Sequence, residues 1–446
     1  MSTVKIVSEY VKQKYFRRFH SRDEVKRYQE KKIKKHLNFV LKNSPFYREL
    51  YKNHLHHGRI EDWRSLPIID KQMMMEHFNK LNIVGIKKEE AFDMAIQAEE
   101  DRNFSPTKNG ITIGLSSGTS GNRGLFIVSP SERERWAGVI LAKLLPHSLL
   151  HKHKNAFFLR ANSNLYTTTQ SKRIQFCFFD LMDDLSKHMN TLNQYEPSVL
   201  VAPPSMLRFL GKELNKGTLN ISPEKVISVA EVLDPIDEQF LQTVFQKQIH
   251  QVYQCTEGFL ACTCEHGTLH INEDIVAIEK EYLHNDKGRF FPIITDFSRT
   301  SQPIIRYRLN DILTEEEKPC PCGSPFMALK QIEGRADDIF YLKEKNGNGL
   351  KAIFPDFFRR AMMTASNEIE EYRLVQESIQ QISVQLKLKS ASEINESVTK
   401  SITAICQHFS VEAPKLVFKR YDFLPGEKKL RRIERSHFPI DKDKII

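Results

Sequence analysis

The sequence predicts an α/β protein: a large N-terminal domain of layered α/β sheets over residues 1–334 and a small α+β C-terminal domain over residues 335–446. Three observations predict this. Between residue 111 and about residue 330, short apolar runs ("LFIV", "NAFFL", "PSVLVA", "KVISVA", "HQVYQC") alternate with amphipathic stretches of helical length, the pattern of a layered structure with a largely parallel sheet. Past the charged, glycine-containing break "GRADD" the order becomes strand, strand, helix, strand, in "YRLVQES", "QISVQLKL", "INESVTKSITAICQHF" and "PKLVFKRYDF". With 446 residues, 40% hydrophobic and 27% charged, the chain is long enough for one large core and a smaller one.

The first hundred residues read as a helical, basic lead-in. The net charge is +10, and much of the excess sits in "KYFRRFHSRDEVKRYQEKKIKKHLNFVLK". There Val25, Tyr28, Ile33, Leu37, Val40 and Leu41 recur at helical spacing, so a helix with one docked face and one solvated basic face is expected. "SPFYRELYKN" reads as a second helix, started after Asn43 and Ser44. The basic run alone is compatible with an anionic partner, but no RNA-binding aromatic motif or helix-turn-helix pattern accompanies it, and no nucleic-acid partner is expected. No stretch approaches the roughly 20 apolar residues that span a bilayer, so no stable membrane insertion is expected. The N-terminus lacks the apolar core of a signal peptide, and a cytoplasmic location is expected. An odd count of cysteines, seven, argues against a disulfide framework.

One loop interrupts the apolar pattern. In "GLSSGTSGNRGLFIV", residues 114–128, Gly118, Gly121 and Gly124 permit positive φ and close approach to a ligand. Ser116, Ser117, Thr119 and Ser120 offer hydroxyls, and Arg123 offers a fixed charge. Consecutive N–H groups in such a turn make a concave anion site. The spacing is neither that of the P-loop nor that of the dinucleotide fingerprint.

Further segments follow in order: "VAEVLDP" at 229–235, "YQCTEG" at 253–258, "IIRYRLNDIL" at 304–313, "EGRADDIF" at 333–340, and "PGEKKLRRIE" near the C-terminus. With the loop, they resemble the adenylate-forming acyl/aryl ligase superfamily over nearly the whole chain, and within it the phenylacetate–CoA ligase and CapK-like branch. The resemblance implies a mobile C-terminal domain and a two-step reaction. ATP and a carboxylic acid give an acyl-adenylate and pyrophosphate; a thiol, of coenzyme A or an acyl carrier protein, then displaces AMP. An adenylyltransferase that leaves AMP on a cofactor hydroxyl is the alternative enzyme, and a nucleotide-binding or carrier-docking scaffold the non-enzymatic one.

The resemblance also implies roles for single residues. Ser116, Ser117, Gly118, Thr119, Ser120, Gly121 and Arg123 hold the β- and γ-phosphates, with Asn122 standing where the family's loop has Lys. Thr256 meets the α-phosphate and Glu257 carries magnesium against the phosphates. Glu231 and Val232 cup adenine and Tyr253 stacks on it. Asp311 accepts bonds from both ribose hydroxyls, and the preceding Asn310, a glycine in the family pattern, fits there if its φ is positive. Arg335 is a further ribose or phosphate contact, and Asp337 falls at the hinge. Lys429 is the adenylation lysine, with Lys428 as the alternative. Cys264, His270, Cys320 and Cys322 match a structural zinc set, with Cys262 and His266 as substitutes. The acyl pocket falls in "FFLRANSNLYTTTQSKRIQFCFFD", whose aromatic content suits an aryl or other flat apolar acid; Arg160 and His151 are candidate partners for a second polar group.

Overall fold

The computed structural model describes residues 3–116, 123–283, 288–391, 393–426, 429–438 and 440. Strands β1 (Thr112–Leu115) and β2 (Leu125–Val128) form an antiparallel hairpin whose connection contains the 116–124 loop. Next come β3 (His153–Leu159), β4 (Ile174–Asp180), β5 (Val199–Ala202), β6 (Lys225–Ser228) and β7 (Ile249–Cys255). They lie parallel in the order β4-β3-β5-β6-β7. Helices Leu185–Tyr195, Pro204–Lys216 and Pro235–Phe245 make three of the crossovers. Asp184 and Asp234 cap two of these helices, and Pro204 and Pro235 occupy first-turn positions where a missing N–H costs nothing.

The sheet does not stay parallel. Only Thr256 and Glu257 separate β7 from β8 (Gly258–Thr263), whereas a parallel return needs a crossover of a dozen or more residues. β9 (Leu269–Ile271), β10 (Val276–Tyr282), β11 (Arg289–Asp296), β12 (Ile304–Arg308), β13 (Asp311–Glu315) and β14 (Ala328–Arg335) continue as an antiparallel half. The whole is a 12-stranded sheet in which β7-β8-β9-β14-β13-β11-β10 runs on from the parallel strands and β12 pairs with β11. The largely parallel sheet expected for 111–330 is therefore parallel only as far as β7.

The lead-in packs on the antiparallel half. Its long helix, Arg22–Asn43, starts at Ser21, whose hydroxyl accepts the Glu24 N–H, and buries Val25, Ile33, Leu37 and Val40 as the helical spacing requires. Ile33, Leu37 and Val40 join Trp63, Leu66 and Ile69 over Phe290, Ile294 and Tyr307 in one core. Ser44 caps the next helix, Pro45–Leu50. The lysines of the long helix lie mostly on its open side.

After β14, the chain makes the hairpin β15 (Phe340–Lys343) and β16 (Leu350–Ile353). A second sheet follows, from β17 (Ile369–Ser378), β18 (Gln381–Leu388), β19 (Lys415–Arg420) and β20 (Ile433–Arg435) in the order β19-β18-β17-β20. Helices Pro355–Ala365 and Asn395–His408 complete a separate core around Phe358, Tyr372 and Ile402. A buried ionic knot ties it to the larger unit. Arg432 donates to both oxygens of Asp237 (2.6 and 3.0 Å), Arg208 donates to the same carboxylate (3.1 Å), and the Tyr372 hydroxyl donates to Asp234 (2.7 Å). Burial pushes the Asp237 carboxyl up while Arg432 and Arg208 pull it down. Asp237→Ala leaves two buried guanidinium groups without their carboxylate, and a loss of about 3–5 kcal/mol is expected from urea unfolding. Lys400→Ala, at an exposed helical pair with Glu396, should leave the midpoint unmoved; equal midpoints for the two variants would show that the knot contributes nothing.

Candidate active site

The larger unit, with Gly426 and residues 429–431, encloses a cleft of about 1740 Å³, opening at the C-terminal ends of β5, β6 and β7. Its centre is the two-residue turn after β7. Glu257 there is buried, and its carboxylate accepts the Tyr307 hydroxyl (2.9 Å) and the Thr256 hydroxyl (2.9 Å). Arg299 fixes the same turn by donating to the Thr256 carbonyl (3.1 Å) and ties it to β2 through the Ile127 carbonyl (3.2 Å).

Asp311 opens β13, and the register with β14 sets it directly opposite Arg335. Their charged atoms lie 4.0 Å apart, and the second Asp311 oxygen accepts the Tyr253 hydroxyl at 2.6 Å. Burial pushes the Asp311 carboxyl up; the Tyr253 bond and Arg335 oppose that shift. Tyr253 is thus committed to Asp311 through its hydroxyl while its ring lines the cleft. Asn310 does not have positive φ, contrary to the condition set for a glycine-like position. Its backbone is ordinary, and its side-chain amide donates to Asp337 (3.0 Å) in the Ala336–Asp338 turn that leaves the large sheet.

The 116–124 loop is closed at its base by two bonds, Ser116 N–H to the Gly124 carbonyl (2.8 Å) and Gly124 N–H to the Ser116 hydroxyl (2.7 Å). Ser117, Gly118, Thr119, Ser120, Gly121 and Asn122 lie outside the described residues, as does Lys428. Gly124 has no positive φ; a Cβ there would meet the Lys71 side chain at 3.0 Å, a tight contact that the flexible lysine would have to relieve. Arg123 is ion-paired with Glu99 and donates to the Ser116 carbonyl (3.1 Å), so its charge is already matched.

Sequence reasoning missed Lys71. It begins the Lys71–Glu76 helix, placed by the Asp70 cap, and its ammonium reaches the Ser116 hydroxyl at 3.5 Å. Burial lowers its pKa, and Glu257 works the other way. A cation therefore stands beside the loop although the loop itself has Asn122 where lysine was expected. Asp70 was readable as a helix cap, but nothing in the sequence relates residue 71 to residue 116.

Lys429 enters from the far side. Its neighbour Leu430 donates its N–H to Glu231 (2.8 Å), whose other oxygen accepts the Ser205 N–H (3.2 Å). Glu231 thus latches the lysine segment, while Val232 lines the cleft. Gly426 makes the approach possible, since its φ is +107° and a Cβ would lie 2.1 Å from the Leu181 carbonyl oxygen. Burial, joined by nearby Arg335, lowers the Lys429 pKa; Glu231 and Asp311 act against it. Arg160 lines the cleft and His151 does not; His151 meets Ser148 (3.2 Å).

Apart from the cleft, Cys264, His270, Cys320 and Cys322 converge, with donor atoms all within 4.8 Å of one another. Cys264 comes from the β8–β9 turn, His270 from β9, and the other two from the β13–β14 connection. Cys264 and Cys320 sulfurs are 3.6 Å apart, and Cys322 Sγ is 3.4 Å from His270 Nε2. His270 Nδ1 faces the Phe326 carbonyl (3.2 Å), which leaves Nε2 turned to the thiols. Neither Cys262 nor His266 belongs to the cluster.

No family model matches the chain. It is 22% identical to the protein CapK of Staphylococcus aureus over 88% of its own length and 86% of that protein's, and 20% identical to a phenylacetate–coenzyme A ligase of Thermus thermophilus over 79% and 78%. The chain is homologous to both. Among solved structures, it superposes on a 2-hydroxyisobutyryl-CoA ligase in its postadenylation state, bound to 2-HIB-AMP, with a TM-score of 0.66 at 16% identity, covering 92% of this chain and 88% of that one. It has the adenylate-forming fold. The amide bond synthetase McbA of Marinactinospora thermotolerans shares the fold less completely, with a TM-score of 0.53 at 12% identity over 72% and 67% of the two chains.

In this adenylate-forming fold two lysines face the cleft with lowered pKa values. After reductive ¹³C-methylation, the NMR signals of Lys429 and Lys71 should titrate at lower pH than the lysines on the open side of the Arg22–Asn43 helix. Titration of all of them together would show that the cleft does not desolvate them.

Proposed function

We propose that this protein catalyses the ATP-dependent, AMP-forming activation of a carboxylic acid through an acyl-adenylate, followed by transfer to a thiol of coenzyme A or an acyl carrier protein. The observation that carries the reading is one cleft gathering Glu257, Asp311, Arg335, Lys71 and Lys429 beside a Ser/Gly loop, in a chain homologous to a CoA ligase. Adenylation brings a carboxylate against a polyphosphate, so the site must neutralise negative charge at the α-phosphorus and on departing pyrophosphate. Lys429 serves the α-phosphate and the incoming carboxylate. Lys71 and the Ser116–Gly121 loop serve the outer phosphates, taking over the role expected of Arg123. Asp311 has one oxygen for a ribose hydroxyl beside its bond to Tyr253, and Arg335 opposes the burial that pushes that carboxyl up. Val232 and the Tyr253 ring flank the base, and Glu231 positions Lys429. Glu257 and Thr256 are the groups that would hold magnesium, which supplies charge neutralisation of the phosphates when bound.

The reading places the reaction in the cytoplasm, where ATP and the acceptor thiol are available; none of the described helices is long and apolar enough to cross a membrane. It takes residues 1–334 and 335–446 as two domains, with Asp337 at the hinge. It also assigns zinc to the Cys₃His cluster, since three thiols and one imidazole with an outward carbonyl partner are the donor set of a closed structural site.

ATP–pyrophosphate exchange with a panel of acids tests the chemistry. Exchange should fall by about 10²–10³-fold in Lys429→Ala, the scale of losing one charge-stabilising group. Because the lysine must be protonated and its pKa is lowered, exchange should decline on the alkaline side before ordinary lysines deprotonate. Unchanged exchange in Lys429→Ala removes the assigned role. For the cluster, elemental analysis should find one zinc per chain, lost in Cys264→Ser together with a lower melting temperature; a metal-free wild type would remove that assignment.

A further inference from the structure

The cleft has a deep compartment that the nucleotide-facing residues leave unused. β3, β5 and β6 present alternate residues to it, as strand geometry requires, and β7 lines it from Val252 onward. By strand position the deepest lining residues are Phe157, Val201 and Ile227, Val252 lies one step above them, and the uppermost, at the nucleotide edge, include Glu231 and Thr256. Phe157 pairs with Val201 and Val201 with Ile227, so these three form a straight row across the sheet; Ile227 pairs with His250, which sets Val252 two residues nearer the C-terminal edge. The opposite wall is one face of the Pro130–Leu144 helix, carrying Trp136, Ile140 and Leu144. No side chain in the deep row is charged; on the helix, Glu132 and Arg135 also line the cleft, but N-terminal to Trp136 and so nearer its mouth.

Two rulers give the depth. Four residues of strand from Thr256 to Val252 span about 13 Å. Eight residues of helix from Trp136 to Leu144 span about 12 Å. The slot is thus apolar, narrow between sheet and helix, and closed by Leu144, which packs against Val199, Val201 and Ile227. A carboxylate held at Thr256 and Lys429 leaves roughly 10 Å for a tail, the reach of about eight carbons, since an extended zigzag chain of ~1.5 Å bonds advances ~1.25 Å per bond. A benzoate-sized acid fills only half of it.

Resting on the adenylation reading above, we propose that the acid is an extended hydrophobic monocarboxylate of roughly that length, its tail lying between the Pro130–Leu144 helix and the parallel strands with Leu144 as the stop. The tail carries no charge and meets no charged partner in the deep tier.

The sequence has two tryptophans, and Trp63 is buried in the lead-in core, away from the slot. In Trp63→Phe protein, Trp136 fluorescence therefore reports slot occupancy without any turnover. Titration with straight-chain acids from acetate to myristate, and with benzoate and 4-phenylbutanoate, should show affinity rising about fourfold per added methylene, peaking near octanoate and falling beyond. The phenylbutanoate arm separates an aryl-ended tail from an alkyl one of equal reach. Leu144→Phe should move the optimum to a shorter acid and Leu144→Ala to a longer one, with melting curves verifying that both fold. Acetate or benzoate binding as tightly as octanoate, or an optimum unmoved in both variants, would overturn the slot. An octanoate optimum without ATP–pyrophosphate exchange for any acid would uphold the slot and sink the adenylation reading instead.

Discussion

The turn at Thr256–Glu257 is where a parallel sheet becomes an antiparallel one, and the cleft depends on that change of direction. Parallel strands end together, so β5, β6 and β7 open a crevice at their C-terminal edge. A two-residue return then places β8 and the antiparallel half beside it, carrying Tyr307, Asp311 and Arg335 to the other side. Glu257 sits on the seam, and Tyr307 reaches across the junction to hold it. Had β7 been followed by a helical crossover, the crevice would exist without the residues of its second wall.

Charge balance explains much of the remaining arrangement. Glu231, Glu257 and Asp311 are taken out of full solvent together with Lys71, Arg335 and Lys429, and each carboxylate also receives a hydroxyl or backbone N–H. Such mutual compensation is what makes several ionised groups tolerable in a partly desolvated space. It also leaves both lysines easier to deprotonate than solvated ones, because burial outweighs their carboxylate neighbours.

What could be read from the sequence follows from how local each signal is. Alternating apolar runs marked β5, β6 and β7, and the 3.6-residue spacing marked the docked face of Arg22–Asn43, because period alone determines which side is buried. The convergence of Cys264, His270, Cys320 and Cys322 was anticipated from spacing combined with family resemblance. The antiparallel half was not legible: hairpin strands buried on both faces show the same apolar runs as parallel ones. Lys71 and the latch at Glu231 were equally hidden, since both are contacts over long sequence separations. Asn310 shows the limit of arguing by substitution, as its backbone lacks the left-handed conformation that a glycine at that place suggested.

Arg432 lies three residues after Lys429 on the same short segment, and its guanidinium is locked onto Asp237 inside the interface. Withdrawal of the lysine from the cleft is consequently geared to the rupture of a desolvated ion cluster. Such a cluster has no half-open form of intermediate energy, because separating its members by a small distance loses the pairing before water can enter. The lysine segment therefore behaves as a detent: it stays seated through small fluctuations and releases in a single discrete event, so that any departure from the seated position is a thermally activated step with its own rate.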